Sequence, residues 1–419
     1  MVKEKEKTAL NQEVKTEFFY GYIIVALVFL ILTIIFVAVD IYGIFFEPLI
    51  AEFKWSRTII SGASALNNLT FGIFIIISAK LCEKFSLRLI VGACGILLGL
   101  GYFLMSQINS VWQLYLYFGI IISFSTSIYI ALISTIARWF VKRRGLMTGI
   151  AYSGLGLAAT VGPPVANWLI TTYDWRQSFL ILGIASTIII VPAALFLKRD
   201  PQHAGQSPYG TSSEEPNIHV LQGVLLQEAL RTRQFWLICG MYFIFLFCHI
   251  LVLVHIVIHA IGLGLDPASA ANILAIYGFV SIISVNIMGL SGDRFGNRPI
   301  FAISFLLLAI SFFWLLIATQ TWQLYLFAVI LGLSYGGMQV LFSPLVAELF
   351  GLKAHGVILG TAAFGGAIGA ALGPLFAGYI FDEIGSYNPT FIICAVLAII
   401  AIALTLLLKP MPGNTWQKQ

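Results

Sequence analysis

Charge is what this chain has least of. Only 10% of its 419 residues are Asp, Glu, Lys or Arg, against 59% hydrophobic residues, and its mean hydropathy is +0.96. Soluble domains carry about 25% charged residues, so a water-soluble globular fold is excluded. Acids are scarcer still within the apolar runs, where Asp40, in IIFVAVDIYGIFF, is the only Asp or Glu well inside one. The five cysteines (Cys82, Cys94, Cys239, Cys248, Cys394) have no paired or metal-like spacing and read as small apolar packing residues. A GxxxxGK[ST] phosphate loop is absent, which argues against ATP drive. His255 and His259 are four apart but have no acid between or after them in their run, which argues against metal-dependent hydrolysis. No cofactor and no metal is expected, and the chain reads as a non-enzyme.

What is abundant is hydrocarbon-length sequence. A helix needs about 20 apolar residues to cross ~30 Å of lipid. Twelve windows of that kind run at 19–47, 58–80, 87–107, 111–137, 144–171, 176–197, 234–262, 268–291, 298–318, 322–349, 356–381 and 388–408. The opening MVKEKEKTALNQEVKTE has no apolar region before a small-residue cleavage site, so no removable signal is expected. Of the 23 Lys and Arg residues, twenty fall on the N-terminal side of the barrier and three (Lys54, Arg57, Arg176) on the other. That asymmetry predicts a multi-pass protein of the cell membrane with both termini cytoplasmic, and it accounts for the net charge of +5 without nucleic acid.

One long polar segment interrupts the interior, KRDPQHAGQSPYGTSSEEPNIHVLQGVLLQEALRTRQ. The expected organisation is a tail at 1–18, six spans in 19–197, a cytoplasmic linker at 198–233, six spans in 234–408 and a tail at 409–419. The first part of the linker reads as flexible; VLQGVLLQEALRTRQF reads as an amphipathic helix on the inner surface. The halves repeat one another at an offset of about 210. VWQLYLYFGI (111–120) matches TWQLYLFAVI (321–330), and VGPPVANWL (161–169) matches LGPLFAGYI (372–380). Such repeats mark secondary transporters, with a site near the midplane between two bundles.

A further repeated element lies at the turns after spans 2 and 8, AKLCEKFSLR (79–88) and GLSGDRFGNR (289–298). GxxxDRxGxR resembles the signature loop of the major facilitator superfamily. The resemblance implies an all-α fold of twelve transmembrane helices in two pseudo-symmetric six-helix bundles, with this loop as a conformational latch. Gly289, Asp293, Arg294, Gly296 and Arg298 complete the second copy; in the first, Glu83, Lys84 and Arg88 hold the charged positions, and Ala79 and Ser86 replace glycines. GAALGPLFAG (369–378) in span 11 places Gly369, Gly373 and Pro374 for a close crossing and a bend.

RWFVKRRGLMTGIAYSG (138–154) is similar to the span 5 signature of the monocarboxylate transporter family and its bacterial relatives, the oxalate:formate antiporters among them. FFYGYIIVA, FFEPLIAEFKWSR and RTRQFW resemble the same branch. That resemblance implies transport of small organic anions, often with a proton. Three departures bear on the substrate. The span 8 Arg of monocarboxylate carriers falls on Val285, the span 11 Lys of oxalate carriers falls near Ala362, and a span 1 Lys of several animal carriers falls on Asp40.

A carboxylate at Asp40 costs a few kcal/mol on insertion scales unless it faces a partner or an aqueous path. It lies about seven residues from the outer end of span 1, and His255 lies about seven from the end of span 7 in FCHILVLVHIVIHA, with His259 one turn beyond. In the superfamily these two spans face each other. Asp40 and His255 are therefore expected to form a proton-coupling pair, the plain alternative being hydrogen bonds to neighbouring helices. His249 falls on another face and reads as packing. Asn67, Asn68, Ser125, Tyr129, Asn286, Tyr335 and Gln339 are candidates to line the path, and Arg138 to meet the latch or lipid headgroups.

The expected function is proton-linked transport of a small organic acid, with a small molecule, protons and the lipid bilayer as partners and a monomer sufficient. The alternative is a carrier or efflux pump for neutral or cationic compounds. A membrane sensor is a third class; the tail KPMPGNTWQKQ is too short for a signalling domain.

Overall fold

The structure is a computed structural model and describes residues 19–210 and 222–409. Among these, twelve helices are long and apolar enough to span a membrane: span 1 Gly21–Phe45, span 2 Gly62–Lys84, span 3 Leu87–Ser106, span 4 Val111–Trp139, span 5 Arg144–Tyr173, span 6 Trp175–Phe196, span 7 Arg233–Gly262, span 8 Asn272–Phe295, span 9 Asn297–Ile317, span 10 Thr321–Phe350, span 11 His355–Ile384 and span 12 Asn388–Leu406. Every end falls within four residues of its predicted window. Polar residues set the boundaries. Ser56 and Ser86 accept from the amides of Ile59 and Leu89 at the starts of the helices that form spans 2 and 3, Asp174 from Gln177 at span 6, Thr232 from Phe235 at span 7, and Asp266 from Ser269 ahead of span 8.

The packing repeats with the sequence. Span 1 lies on span 5, span 3 on span 6 and span 2 on span 4; correspondingly span 7 lies on span 11, span 9 on span 12 and span 8 on span 10. The two six-helix bundles meet through span 5 against span 8 and span 2 against span 11. Small residues permit this closeness, because lipid gives helices no hydrophobic drive to associate and backbone proximity must supply van der Waals contact. Gly369 and Gly373 lie under the carbonyls of Phe243 and Phe247 in span 7.

At the end carrying the two signature loops, here the latch end, the acids are exchanged between bundles. Asp293, closing span 8, accepts from the amides of Gly145 (2.7 Å) and Leu146 (2.9 Å) at the start of span 5. Glu83, closing span 2, accepts from the amide of Val357 at the start of span 11. Each carboxylate thus meets the unpaired N–H groups and positive dipole end of a helix in the opposite bundle. Arg88 donates to the Leu197 carbonyl (2.6 Å) and Arg298 to that of Leu408 (3.0 Å), tying each signature loop to the end of the last span of its own bundle. Lys84 and Arg294 lie over the rings of Phe85 and Phe295, and Gly296 takes the positive φ (+92°) that turns span 8 into span 9.

The linker differs from its predicted form. Tyr209 pairs with Phe140 in the span 4–5 loop, its amide donating to the Trp139 carbonyl (2.8 Å). Gly223 pairs with Gly351 in the span 10–11 loop, where Leu352 N donates to the Gln222 carbonyl (2.8 Å). Both described ends of the linker are therefore docked, on loops equivalent by the repeat. The expected amphipathic helix is confined to Leu226–Leu230, because Gln222–Val224 is extended in this pairing.

At the opposite end, Arg176 donates to Glu52 (2.7 Å) and to the carbonyls of Ser106 and Ile108, and stacks on Trp175, whose indole also donates to Glu52. The Arg176 hydrogen bond holds the Glu52 carboxyl below its ordinary range. A depressed carboxyl contributes stability above its unfolded-state pKa and loses it as pH falls through the folded value. Because both side chains are partly exposed, the effect is at most about 1 kcal/mol. Thermal unfolding of Glu52→Gln in detergent should show a shallower loss of stability below about pH 4 than the parent; identical acid limbs would show that the pair is without thermodynamic weight.

Candidate functional site

Five tyrosines, one glutamine and one histidine gather where the bundles meet. Tyr129 of span 4 shares a hydrogen bond with Tyr242 of span 7, across the bundle boundary. Tyr242 also donates to Gln339 Oε1 (3.4 Å) and stacks on Phe342, while Tyr129 stacks on Phe71. Tyr152 of span 5 and Tyr335 of span 10 approach closely enough for their hydroxyls to interact, and neither hydroxyl has a hydrogen-bond partner among the described residues. Tyr277 of span 8 meets His249 Nε2 at 2.6 Å. Among the described residues, no Lys or Arg stands in this centre. Val285, at the position of the family's arginine, is buried and its carbonyl faces Gly149.

Asp40 is exposed at the end of the α-helical part of span 1. Its charge is felt at Tyr335 in the other bundle and at Tyr102 of span 3, whose buried hydroxyl is unpaired. Phe36, one turn closer to the latch end, is edge-on to Tyr129 (5.8 Å), so this face of span 1 turns toward the tyrosine centre. The Asp40 carboxylate makes no hydrogen bond or ion pair among the described residues.

His255 is elsewhere. Its Nε2 donates to the Pro374 carbonyl (3.0 Å) and its Nδ1 meets the Tyr387 hydroxyl (3.1 Å), on the span 11 and 12 side. His259 packs edge-on to Tyr387 and Phe391. The expected pairing of Asp40 with His255 is therefore not made in this conformation, for a reason visible in the packing. Gly162 of span 5 rests on Val37 and Ile41 of span 1; Gly373 of span 11 rests on Phe247 and Leu251 of span 7. That offset of 210 carries Asp40 onto Ile250 and brings His249 to its level, leaving His255 about 7 Å further out at 1.5 Å per residue. Counting from helix ends misled, because the α-helix of span 1 stops at Asp40 and continues as a 3-10 turn, Tyr42–Phe45, whereas span 7 runs as α-helix to Gly262.

Other predicted lining residues divide. Asn67 is turned into its own bundle, donating to the Phe118 carbonyl (2.7 Å) in the π-helical turn Tyr117–Ile122 of span 4. Ser125 is buried and bonded to carbonyls of its own helix. Asn68 is exposed. Asn286 of span 8 donates to Ser153 of span 5 (2.8 Å), joining the bundles. Arg138 is buried at the latch end, donating to Asp200 (2.9 Å) and to the Leu352 carbonyl of the other bundle (3.0 Å). Beside it the buried His355 meets Ser134 across the boundary (2.9 Å) and donates Nε2 to the Ser343 carbonyl (3.0 Å). Tyr152, Tyr242, Tyr277 and His249 carried no sequence signal beyond being polar residues on helices that the repeat places inside.

Two bundles of six spans related by an internal repeat, with polar side chains held at their meeting plane, define a membrane carrier of small molecules. The chain belongs to the Major Facilitator Superfamily, whose sequence profile matches residues 28–286 and 250–419. It is a multi-pass membrane transporter and not an enzyme. It is 25% identical over 289 residues to the MFS-type transporter YhjX of Escherichia coli, covering 67% of this chain and 70% of that one. It is 25% identical to monocarboxylate transporter 13 of Rattus norvegicus over 89% of this chain and 85% of that one. To human monocarboxylate transporter 2 it is 23% identical, over 78% and 72%.

Proposed function

We propose that this transporter carries a small organic acid, a monocarboxylate, together with a proton across the cell membrane, by alternating access. The observation that carries this reading is the composition of the centre. Phenol hydroxyls from both bundles, Tyr152 and Tyr335, stand unpaired as donors, and a single carboxylate, Asp40, lies at the rim with its charge felt at one of them. Such a site suits a solute that arrives with its own proton, because neutral donors alone compensate a buried carboxylate poorly. The names of the relatives support the substrate class, and the excess of Lys and Arg at the latch end supports a cytoplasmic placement of that end and of both termini.

In this reading the bundles 19–197 and 234–408 rock about the tyrosine centre, a monomer suffices, and the signature loops act as the latch. In this reading the conformation is outward-open. Among the described residues, the hydrogen bonds that join the bundles run from Tyr129–Tyr242 toward the latch end. Asp40, beyond that level, is exposed and positioned to exchange protons with the outer face. A carrier of neutral or cationic compounds is the second reading. It rests on Val285 standing where a cation is usual and on Asp40 as the only charge near the centre among the described residues.

Uptake of labelled lactate, pyruvate and acetate into proteoliposomes, with and without an inward proton gradient, separates the two. One proton per anion gives about tenfold accumulation for each pH unit imposed. Absence of uptake of all three by folded protein would overturn the organic-acid reading in favour of the second.

A further inference from the structure

His249 is a ring whose hydrogen-bonding capacity the packing of its own bundle leaves partly unused. Its side chain is fully buried. Nε2 is bonded to the Tyr277 hydroxyl at 2.6 Å, but Nδ1 is sealed from solvent with no hydrogen-bond partner. Either tautomer leaves that nitrogen's bonding capacity unused, an arrangement that native interiors seldom retain without a use for it. The ring lies against three others, Phe245 (5.3 Å), Tyr277 (5.2 Å) and Tyr335 (4.9 Å). Of these, Tyr335 is only partly buried, and its hydroxyl has no partner, so it can swing aside without breaking a hydrogen bond.

Tyr335 is also the residue at which the charge of Asp40 is felt from the opposite bundle. His249 and Asp40 therefore lie at one depth, on spans 7 and 1, with Tyr335 against the ring of the first and within electrostatic reach of the second. The ionisable groups around the ring are few. Tyr277 faces it from span 8, Tyr335 from span 10, Cys248 and Cys394 lie on the span 12 side, and the one acid is Asp40 beyond Tyr335. From span 11 the side toward span 7 is formed by Gly365, Gly369 and Gly373. No lysine or arginine is among these groups.

Resting on the organic-acid reading above, we propose that His249 receives the substrate's carboxylate, in place of the arginine that position 285 lacks, by taking up the co-transported proton. The balance is simple. A carboxylate and a proton enter together, the proton binds at Nδ1, and the resulting imidazolium donates Nε2–H to Tyr277 and Nδ1–H to the carboxylate, with the Tyr335 hydroxyl as second donor. The loaded site is neutral overall, and on release the proton leaves with the carboxylate and the ring returns to its neutral form. Because one proton creates one cation, the site accepts one carboxylate, and a dicarboxylate would bring an unpaired charge into it. Coupling is thus built into binding: without the proton there is no cation to hold the anion.

The test uses the full chain in proteoliposomes, with lactate as the probe, oxalate as the dicarboxylate control and KM followed from pH 5.5 to 8. The parent's KM should rise up to tenfold per pH unit on the alkaline side, and oxalate should not compete. His249→Gln should raise KM at acid pH at least tenfold and flatten its pH dependence. His249→Arg, which carries a fixed cation, should bind lactate with little dependence on pH and lose coupling to the proton gradient. A His249→Gln protein with the parent's KM and pH slope overturns this proposal and leaves the organic-acid reading intact. A parent that takes up no monocarboxylate overturns both.

Discussion

Asp40→Asn should abolish uphill accumulation while sparing exchange. Asparagine keeps the size and polarity of the side chain and removes only its capacity to bind and release a proton. Asp40 is exposed on the side away from the latch and makes no hydrogen bond or ion pair among the described residues, so the substitution breaks no visible contact and the fold should be unaffected. A carboxyl in this position passes the co-transported proton between the outer face and the buried His249, and without that relay the gradient does not drive the cycle. With one proton per cycle, a gradient of one pH unit should sustain about tenfold accumulation in the parent and about unity in the variant. Exchange of labelled for unlabelled substrate, which requires no net proton movement, should stay within about twofold. Undiminished uphill uptake by Asp40→Asn would remove this residue from the coupling mechanism.

Gly289→Val should have a comparably large effect through a different cause. Gly289 of span 8 and Gly145 of span 5 cross with their backbones in contact, and a Cβ on either would fall on the other's carbonyl. Backbone cannot yield as a flexible side chain does, so valine holds spans 5 and 8 apart and detaches Asp293 from the amides of Gly145 and Leu146. The latch end should then fail to close. A shift of the conformational equilibrium by 1.4 kcal/mol changes it tenfold, and the loss of two charge-assisted hydrogen bonds together with a steric clash exceeds that. Transport should fall by at least about tenfold. A cysteine placed at Ser134, buried between the bundles beside His355, should change from protected to readily labelled in an otherwise cysteine-free background. Normal transport with Ser134→Cys still protected would show that the crossing tolerates more separation than its geometry implies.

The spans were legible because the length of an apolar run is a one-dimensional quantity, and the repeat supplied the pairing of spans without any knowledge of contacts. The two signature loops were legible for the same reason, as two copies of one motif at equivalent turns. The centre was not. Whether a tyrosine points to lipid, to its own bundle or to the opposite one depends on helix rotation, so Tyr152, Tyr242 and Tyr277 could not be told from the chain's other tyrosines, and Asn67 looked available when it serves span 4. His249 was set aside because it falls on another helix face, and His255 was placed at the centre because depth was counted from helix ends. The glycine contacts put His249, and not His255, at the level of Asp40.

The two exchanged carboxylates are alike in plan and unequal in strength. Asp293 grips two amides across a seam where glycine backbones touch, whereas Glu83 meets one amide beside a looser seam, where a Cβ on Gly360 would first meet the Ile75 side chain, at 3.1 Å. Under equal thermal agitation the weaker fastening yields first. The bundles should therefore part in a fixed order, spans 2 and 11 leading while spans 5 and 8 serve for a moment as the hinge. The direction of that peeling follows from two amides and a glycine crossing at one seam against a single amide at the other.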